Sequence, residues 1–282
     1  MVTAPAAGSV IRSRANPVVR RFQALKDRGL DGELLLIEGI KLLEEAQASR
    51  IVIVEVAATP EAEAREPVAA LLARLRAAGT PVRLLEARVL GALSELPTSQ
   101  GVLALARRPS FDEDALFRGV PLLVVGVAVQ NPGNLGGLLR TAEAAGSTGA
   151  FFTEGCADPF SWKALRGSMG SAFRLPHVAG RSFAVVESRL RERGVRVVAT
   201  ASAGGEPYDR AQLDGPLALL CGNEAAGLPE SVIARADLKV HIPLLGTVES
   251  LNVGVAAGIV LFEAARQRRV SGAGKPKEVE RA

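Results

Sequence analysis

The chain is poor in the residues that most readily declare a function. Its 282 residues include two cysteines, two histidines, one tryptophan and one tyrosine. Cys156 and Cys221 make neither a disulfide framework nor a CxxC ligand pair, which excludes a disulfide-stapled small domain and a cysteine-based zinc site. His177 and His241 have no ligand spacing, so metal binding has no support. His241 alternates with Val240 in a strand-like stretch and reads as structural. Aromatic residues make up 4% of the chain, which excludes a surface that works chiefly by ring stacking. No apolar run reaches membrane-spanning length; LLVVGVAV (122–129) has the size of a strand. The opening MVTAPAAGSVIRSRANP (1–17) lacks the apolar stretch of a secretory signal. These absences predict a cytoplasmic protein with reduced thiols and no membrane partner. There is no G-x-x-x-x-G-K-[ST] phosphate loop, and no G-x-G-x-x-G that follows a strand and opens a helix.

What is present is a globular composition. Hydrophobic residues make up 48% and charged residues 23%, enough to bury a proper core. The formal charge of +4 and pI near 9.4 hint mildly at an anionic partner. Residues 1–9 and 270–282 have no periodicity and read as disordered. Residues 10–106 alternate strand-like runs (34–37, 51–56, 82–86, 102–106) with helical stretches such as 39–47 and 67–78, giving a small α/β unit. RRPSFDEDALFRG (107–119) is polar, carries Pro109 and reads as a linker. A second alternation fills 120–269, with strands at 122–129, 150–152, 195–200, 217–221 and 238–242. Its helices fall at 135–145, 183–193 and 251–268. Strands alternating with helices predict a parallel sheet covered on both faces.

Ligands in such sheets bind outside the carboxyl ends of strands, and three strands there are followed by polar islands. After the first comes QNPGNLGGLLRTAEAAG (130–146). Its Asn-Pro-Gly turn leads into a helix near Asn134, with Arg140 six residues on. Gly136 and Gly137 in the first turn cost about 1 kcal/mol each relative to Ala, so something should approach that backbone closely. After another strand comes CGNEAAGLPE (221–230). Gly222 there would let a ligand touch main chain, and Glu224 could bind a cation or orient a base. After the last strand comes IPLLGTVESLNVGVAAGIVLFE (242–263). Thr247, Glu249, Ser250 and Asn252 crowd a helix start that needs one cap. In that helix Leu251, Val255, Ile259 and Phe262 recur at helical spacing as the buried face. Val253, Val260 and Ala264 lie toward another side, which one chain would leave partly wet. Each island alone could be caps and turns; three at one end of one sheet favour a site.

These islands resemble the three motifs of the SpoU (TrmH-type) RNA 2′-O-ribose methyltransferases. NPGNLGGLLRTAEAAG is similar to the first, with Asn134 and Arg140 at its hallmark positions. CGNEAAGL is similar to the second, with Glu224. IPLLGTVESLNVGVAAGIVLFE is similar to the third, with Ser250 and Asn252. ALRGSMGSAFRLP (164–176) resembles a family segment between the first two motifs. In the front half, NPVVRRFQALKDR (16–28), LLLIEGIKLLEEA (34–46) and PTSQGVLALA (97–106) resemble the substrate-binding domain often attached N-terminally. Gly254 stands where Ser is usual and Gly137 where Ala is common; neither replaces a hallmark group.

The resemblance implies an α/β fold in which a parallel-sheet domain with a deep trefoil knot follows a smaller RNA-binding domain of L30e/L7Ae type. It implies methyl transfer from S-adenosylmethionine to a ribose 2′-hydroxyl of RNA, with ribosomal RNA of the large subunit as first target and tRNA as second. Gly222, Ile242 and Leu251 would hold the cofactor. The loop 243–251 would belong to the knot, and the helix after it to a homodimer interface. Asn134, Arg140, Glu224, Ser250 and Asn252 would form the catalytic set. Arg140 is the family's candidate base, an awkward role for a group with a pKa above about 12; clamping a substrate phosphate suits it better. Arg12, Arg14, Arg20, Arg21, Lys26 and Arg28 form a basic stretch suited to RNA phosphates. Two other classes stay open: an RNA-binding protein of this fold without catalysis, and an unrelated nucleotide-binding α/β enzyme.

Overall fold

A computed structural model describes residues 9–28 and 32–272; the expected disorder at 1–8 and 273–282 lies outside the described residues. The chain forms two compact units, one comprising Met1–Pro109 with Phe160–Leu165, the other Ser110–Pro159 with Arg166–Ala282.

The first unit runs α1 (Pro17–Arg28), β1 (Leu34–Glu38), α2 (Ile40–Ala48), β2 (Ile53–Ala58), α3 (Pro60–Glu63), α4 (Val68–Ala77), β3 (Val82–Leu84), α5 (Ala87–Leu93) and β4 (Val102–Arg107). Its sheet has the order β1-β4-β2-β3. β4 lies antiparallel to both β1 and β2, and β2 parallel to β3. The buried run of β4, Val102 to Ala106, explains its inner position. Neither α1 nor α5 was among the expected elements. α1 buries Val19, Phe22 and Leu25, spaced by three, against Leu36, Leu103 and Leu105 of the sheet. Burying Phe22 alone is worth about 1.5–3 kcal/mol.

From Ser110 onward the chain runs β5 (Leu122–Gly126), α6 (Pro132–Ala144), β6 (Gly149–Thr153), α7 (Trp162–Ser168, divided between the units after Leu165), α8 (Ser171–Arg174), β7 (His177–Arg181), α9 (Phe183–Glu192), β8 (Arg196–Ala201), β9 (Glu206–Pro207), β10 (Leu217–Cys221), α10 (Glu230–Ile233), β11 (Leu238–His241) and α11 (Val253–Ser271), and the rest of it forms the second unit. Its sheet has the order β7-β6-β5-β10-β8-β11-β9. Every pairing is parallel, as the alternation predicts. β5 and β10 are buried at every residue, the mark of strands covered on both faces.

Four expectations change. Residues 107–119 are no bare linker: Arg107 closes β4, and the 3-10 turn Glu113–Phe117 drives Leu116 into the core beside Leu123 and Phe151. One apolar pair amid charges was too short a pattern to read. Residues 160–165 group with the first unit. α11 runs past 268 to Ser271 and stops at Gly272, whose φ of 75° suits a glycine cap. The faces of α11 are the reverse of those expected. Val260 and Ala264 are buried within the single chain, at 1% and 0% exposure, whereas Val255 and Phe262 stand 52% and 49% exposed. The buried stripe is Ala257, Val260, Leu261, Ala264 and Arg268. Its small members let the helix lie close to the body of the unit.

Candidate functional site

The chain passes from β5 outward to β6 and β7, and places β8, β10 and β11 on the other side of β5. Such a reversal opens a crevice at the carboxyl ends of the strands. There the loops after β5 and β10 are stitched together. Val127 N–H donates to the Cys221 carbonyl at 2.8 Å. Asn223 Nδ2 donates to the Ala128 carbonyl at 3.0 Å, while its Oδ1 accepts the N–H groups of Ala225 and Ala226 at 2.9 and 3.1 Å. Ala128 takes a left-handed φ of 52°, held between that bond and Thr153 Oγ1. Strain of this kind recurs where a site over-determines its backbone.

Three of the expected residues form one chain of hydrogen bonds. Glu224 Oε1 accepts Asn134 Nδ2 at 3.1 Å and the Asn131 N–H at 3.2 Å. Asn134 Oδ1 accepts Asn252 Nδ2 at 3.0 Å. Asn252 caps α11, its Oδ1 accepting the Gly254 N–H at 2.9 Å, and Asn131 caps α6 in the same way with Pro132 at the first helical position. One carboxylate and two amides thus tie the first turns of α6 and α11 to the β10 loop. The crowding at 247–252 resolves physically: Asn252 alone caps the helix, and Ser250 is left to line a cavity.

Glycine permits this convergence. A Cβ at Gly167 would lie 3.0 Å from the Gly133 carbonyl oxygen and 3.4 Å from Gly136 Cα, so the close approach expected at Gly136–Gly137 is made by the chain itself. A Cβ at Gly222 would meet the Gly227 carbonyl carbon at 2.3 Å. Gly222 is therefore required by its own loop folding back on itself.

Beside the cluster lies a cavity of about 430 Å³. Gly222 and Glu224 from the β10 loop, Ile242, Ser250 and Leu251 from the β11 loop, and Ala256 of α11 all line it. The three expected cofactor residues thus share one cavity. The sequence reading missed a fourth wall: Thr200 and Ala201 at the end of β8 and Ser202 and Ala203 after it, with Lys239 of β11. SAGGE (202–206) was a legible turn signal at that strand end, and Gly204 and Gly205 do turn there at φ 72° and 77°. A second, shallow groove lies outside α6 and α11, lined by Gly137, Thr141, Val255, Gly258, Ile259 and Phe262.

Arg140 does not join the cluster. Six residues along α6 turn it about 120° away from Asn134 and carry it about 9 Å further; it is exposed, and it is not among the residues that line that groove. The cysteines are not nucleophiles in waiting. Burial pushes the Cys221 thiol up to about 12 and raises Cys156 as well, against bonds from Val129 and Thr153 that lower it.

The basic stretch also divides. Arg21 Nη1 pairs with the buried Glu55 at 3.5 Å. Lys26 Nζ donates to the carbonyls of Ala92 and Ser94, both at 3.0 Å, with Glu95 at 3.8 Å. Arg12, Arg14 and Arg20 point outward; the side chain of Arg28 lies outside the described residues.

Residues 121–262 match the SpoU rRNA Methylase family, and residues 36–111 match the RNA 2′-O ribose methyltransferase substrate binding family. The chain is 34% identical over 254 residues to the 23S rRNA (guanosine(2553)-2′-O)-methyltransferase RlmP of Bacillus subtilis, covering 89% of this chain and 97% of that protein. It is similar to an AdoMet-bound rRNA methyltransferase from Sinorhizobium meliloti, with TM-score 0.79 and 30% identity over 92% of this chain and 97% of the other. It is similar too to the SpoU methyltransferase AviRb from Streptomyces viridochromogenes in complex with AdoMet, with TM-score 0.81 and 29% identity over 90% and 98% of the two chains.

Proposed function

The chain belongs to the SpoU rRNA methylase family, and from that premise we propose how its residues carry out S-adenosylmethionine-dependent 2′-O-ribose methylation of ribosomal RNA. One observation carries the reading: the Glu224–Asn134–Asn252 chain stands at the edge of a cavity of about 430 Å³ at the carboxyl ends of a parallel sheet.

That volume lies in the range, about 300–1,000 Å³, of sites for small cofactors. Gly222, Ile242 and Leu251 would hold the adenosine part through main chain and apolar contact. When bound, S-adenosylmethionine supplies a methyl group already activated on a sulfonium. The residues then have to position a weak nucleophile, and positioning can account for several kcal/mol. Glu224 fixes the amide of Asn134; Asn134 and Asn252 orient the ribose; Ser250 shapes the cavity wall beside them. Arg140 clamps the phosphate next to the target ribose through its guanidinium.

A homodimer fits the same geometry. The groove exposes Val255 and Phe262 on either side of Gly258, a surface that a two-fold partner could cover. We further propose the deep trefoil knot, with 243–251 as its loop, and an L30e/L7Ae-type fold for the first unit. The return of α11 supports the knot: after the outlying β11, Arg268 donates to the carbonyls of Val120, Pro121 and Gly215, at the opposite ends of β5 and β10. The domain limits 10–106 and 120–269, RNA contact in the first, and a cytoplasmic location belong to the same proposal.

The test is a map of 2′-O-methyl sites in total RNA from a strain lacking this protein against its parent, with methyl transfer by the purified protein to the unmodified RNA. One ribose of large-subunit ribosomal RNA should lose its methyl group and regain it in vitro. Identical maps and no transfer would defeat the assignment; a lost tRNA methyl would redirect it. Calorimetric titration should show S-adenosylmethionine binding and none by ATP or NAD.

A further inference from the structure

α1 and α5 leave a groove of about 650 Å³ between them. Its floor is aliphatic: Val19, Val89 and Leu93 are at 3%, 1% and 1% exposure. Its rim is cationic: Arg14 and Arg20 both line it. Among the described residues no carboxylate pairs with either of them, whereas the neighbouring Arg21 and Lys26 are bonded within the unit. The groove thus combines a dry floor with two guanidiniums that lack a counter-charge. α1 lies before residue 36, where the match to the substrate-binding family begins.

We infer that this groove receives one splayed-out nucleotide of the substrate RNA, its base over Ala24 and Ala92 above the buried Val19, Val89 and Leu93 and its flanking phosphates on Arg14 and Arg20. The inference rests on ribosomal RNA being the substrate. An apolar peptide would cover the floor but leave both guanidiniums without a partner. A single-stranded nucleotide supplies both halves, a flat base and a phosphate on either side of it, and guanidiniums bind phosphate oxygens bidentately. Single-stranded loops can present an unstacked base in this way; the narrow major groove of an A-form helix cannot. With no aromatic ring on the floor, contact is by shape and exclusion of water, so the groove positions the RNA without stacking.

The experiment is filter binding of the full-length protein to its ribosomal RNA fragment over a salt series. Arg14→Ala with Arg20→Ala removes two phosphate contacts. It should lower affinity about tenfold or more and make the salt dependence shallower by about 1.4, at roughly 0.7 per contact on a single strand. Ala24→Trp, at an exposed position on the lip, should plug the groove and lower affinity without changing the salt slope. Ala92→Leu does so from α5 should the first variant unfold. Titration of S-adenosylmethionine should match the parent in every variant. Ultraviolet cross-linking should attach a nucleotide to the tryptic peptide 22–26 or to the one that begins at Val89. Unchanged RNA affinity in the folded double variant overturns the inference. A slope change with no effect of either plug overturns the base in the groove, and a plug that alters sedimentation and spares RNA binding makes the occupant a second copy. A parent that methylates ribosomal RNA yet ignores every substitution rejects the groove alone. A parent that binds S-adenosylmethionine and methylates no ribosomal RNA rejects the functional reading beneath it.

Discussion

The loops at the carboxyl ends of β5, β10 and β11 and the faces of α1 and α11 carry equally marked patterns, but they obey different rules. In the loops, residues 90 and 118 positions apart meet: Asn134 with Glu224, and Asn252 with Asn134. On the helices, half of the reading turned around. Two of the cations of α1 bond inward, and the wet and dry faces of α11 exchange places. A side chain one turn past a parallel strand inherits its place from the sheet, whose ends all point one way. A helix apolar on most sides offers several stripes at the same spacing, and only the neighbour it packs against selects one.

The sharpest way to break that comparison is on α11, where the expected effects are largest. Val260→Glu puts a charge where exposure is 1% and should cost about 3–5 kcal/mol of stability, seen as a large loss in Tm. Phe262→Glu, two residues on and half exposed, should leave Tm almost unchanged and split the proposed dimer in sedimentation. A folded, dimeric Val260→Glu protein would show that the faces are assigned the wrong way round, and a parent that sediments as a monomer would remove the dimer.

Next in size is the cluster itself. Asn134→Ala takes away both the donor to Glu224 and the acceptor of Asn252. Methyl transfer at saturating RNA and cofactor should fall about 10²–10³-fold, the scale for losing a positioned polar group. Folding stability should fall by only about 1–2 kcal/mol. Retention of most of the single-turnover rate would reduce the cluster to a brace between two helix caps. Arg140→Ala should abolish transfer and spare S-adenosylmethionine affinity; a parallel loss of cofactor binding would place Arg140 on the wrong side of the site.

What was legible follows the same division. The parallel sheet and the strand ends that matter could be read, because Gly, Pro and Asn after a buried run constrain the backbone locally; the grouping of Gly222, Ile242 and Leu251, which share one cavity, was implied by the family resemblance alone. The stretch 202–206 was equally readable as a turn, and Ser202 and Ala203, just before its Gly-Gly pair, do wall the cavity. The reason for Gly222 was not readable, because the close return of Gly227 and Leu228, which leaves no room for a Cβ, has no trace in residue type. Nor was Leu116, a single apolar side chain whose burial depends on Gly149 and Phe151 more than thirty positions away. The same holds for Arg21. Its partner Glu55 lies on β2 and is also bonded by Arg83 at 3.1 Å. Arg21→Ala should therefore cost about 1 kcal/mol or less and leave RNA affinity alone, in contrast to Arg14 and Arg20. An RNA-binding loss as large as theirs would restore the undivided basic face.

The smallest effect tests a helix face that supports the site from behind. Glu143 of α6 and Arg174 at the end of α8 form a two-point pair, Nε to Oε1 at 2.7 Å and Nη2 to Oε2 at 2.9 Å. Burial pushes the Glu143 carboxyl up, but hydrogen bonds from Arg174 and Ser171 outweigh it and hold the group below the ordinary range. With the folded value depressed, the pair's contribution is complete above the unfolded pKa, about 4.3, and is lost as pH falls through the folded value. Both side chains are about a third exposed, at 37% and 30%, so solvent screening keeps the contribution to about 0.5–1 kcal/mol. Arg174→Ala should thus melt below the parent at pH 7, and the gap should close as the carboxylate takes up its proton below about pH 4. A gap that persists at pH 3 would mean that Arg174 braces α6 through packing of its stem. Because Asn134 is anchored by Glu224 and Asn252, the methylation rate at pH 7 should change less than threefold. A larger fall would show that α6 depends on its outer face to hold the cluster.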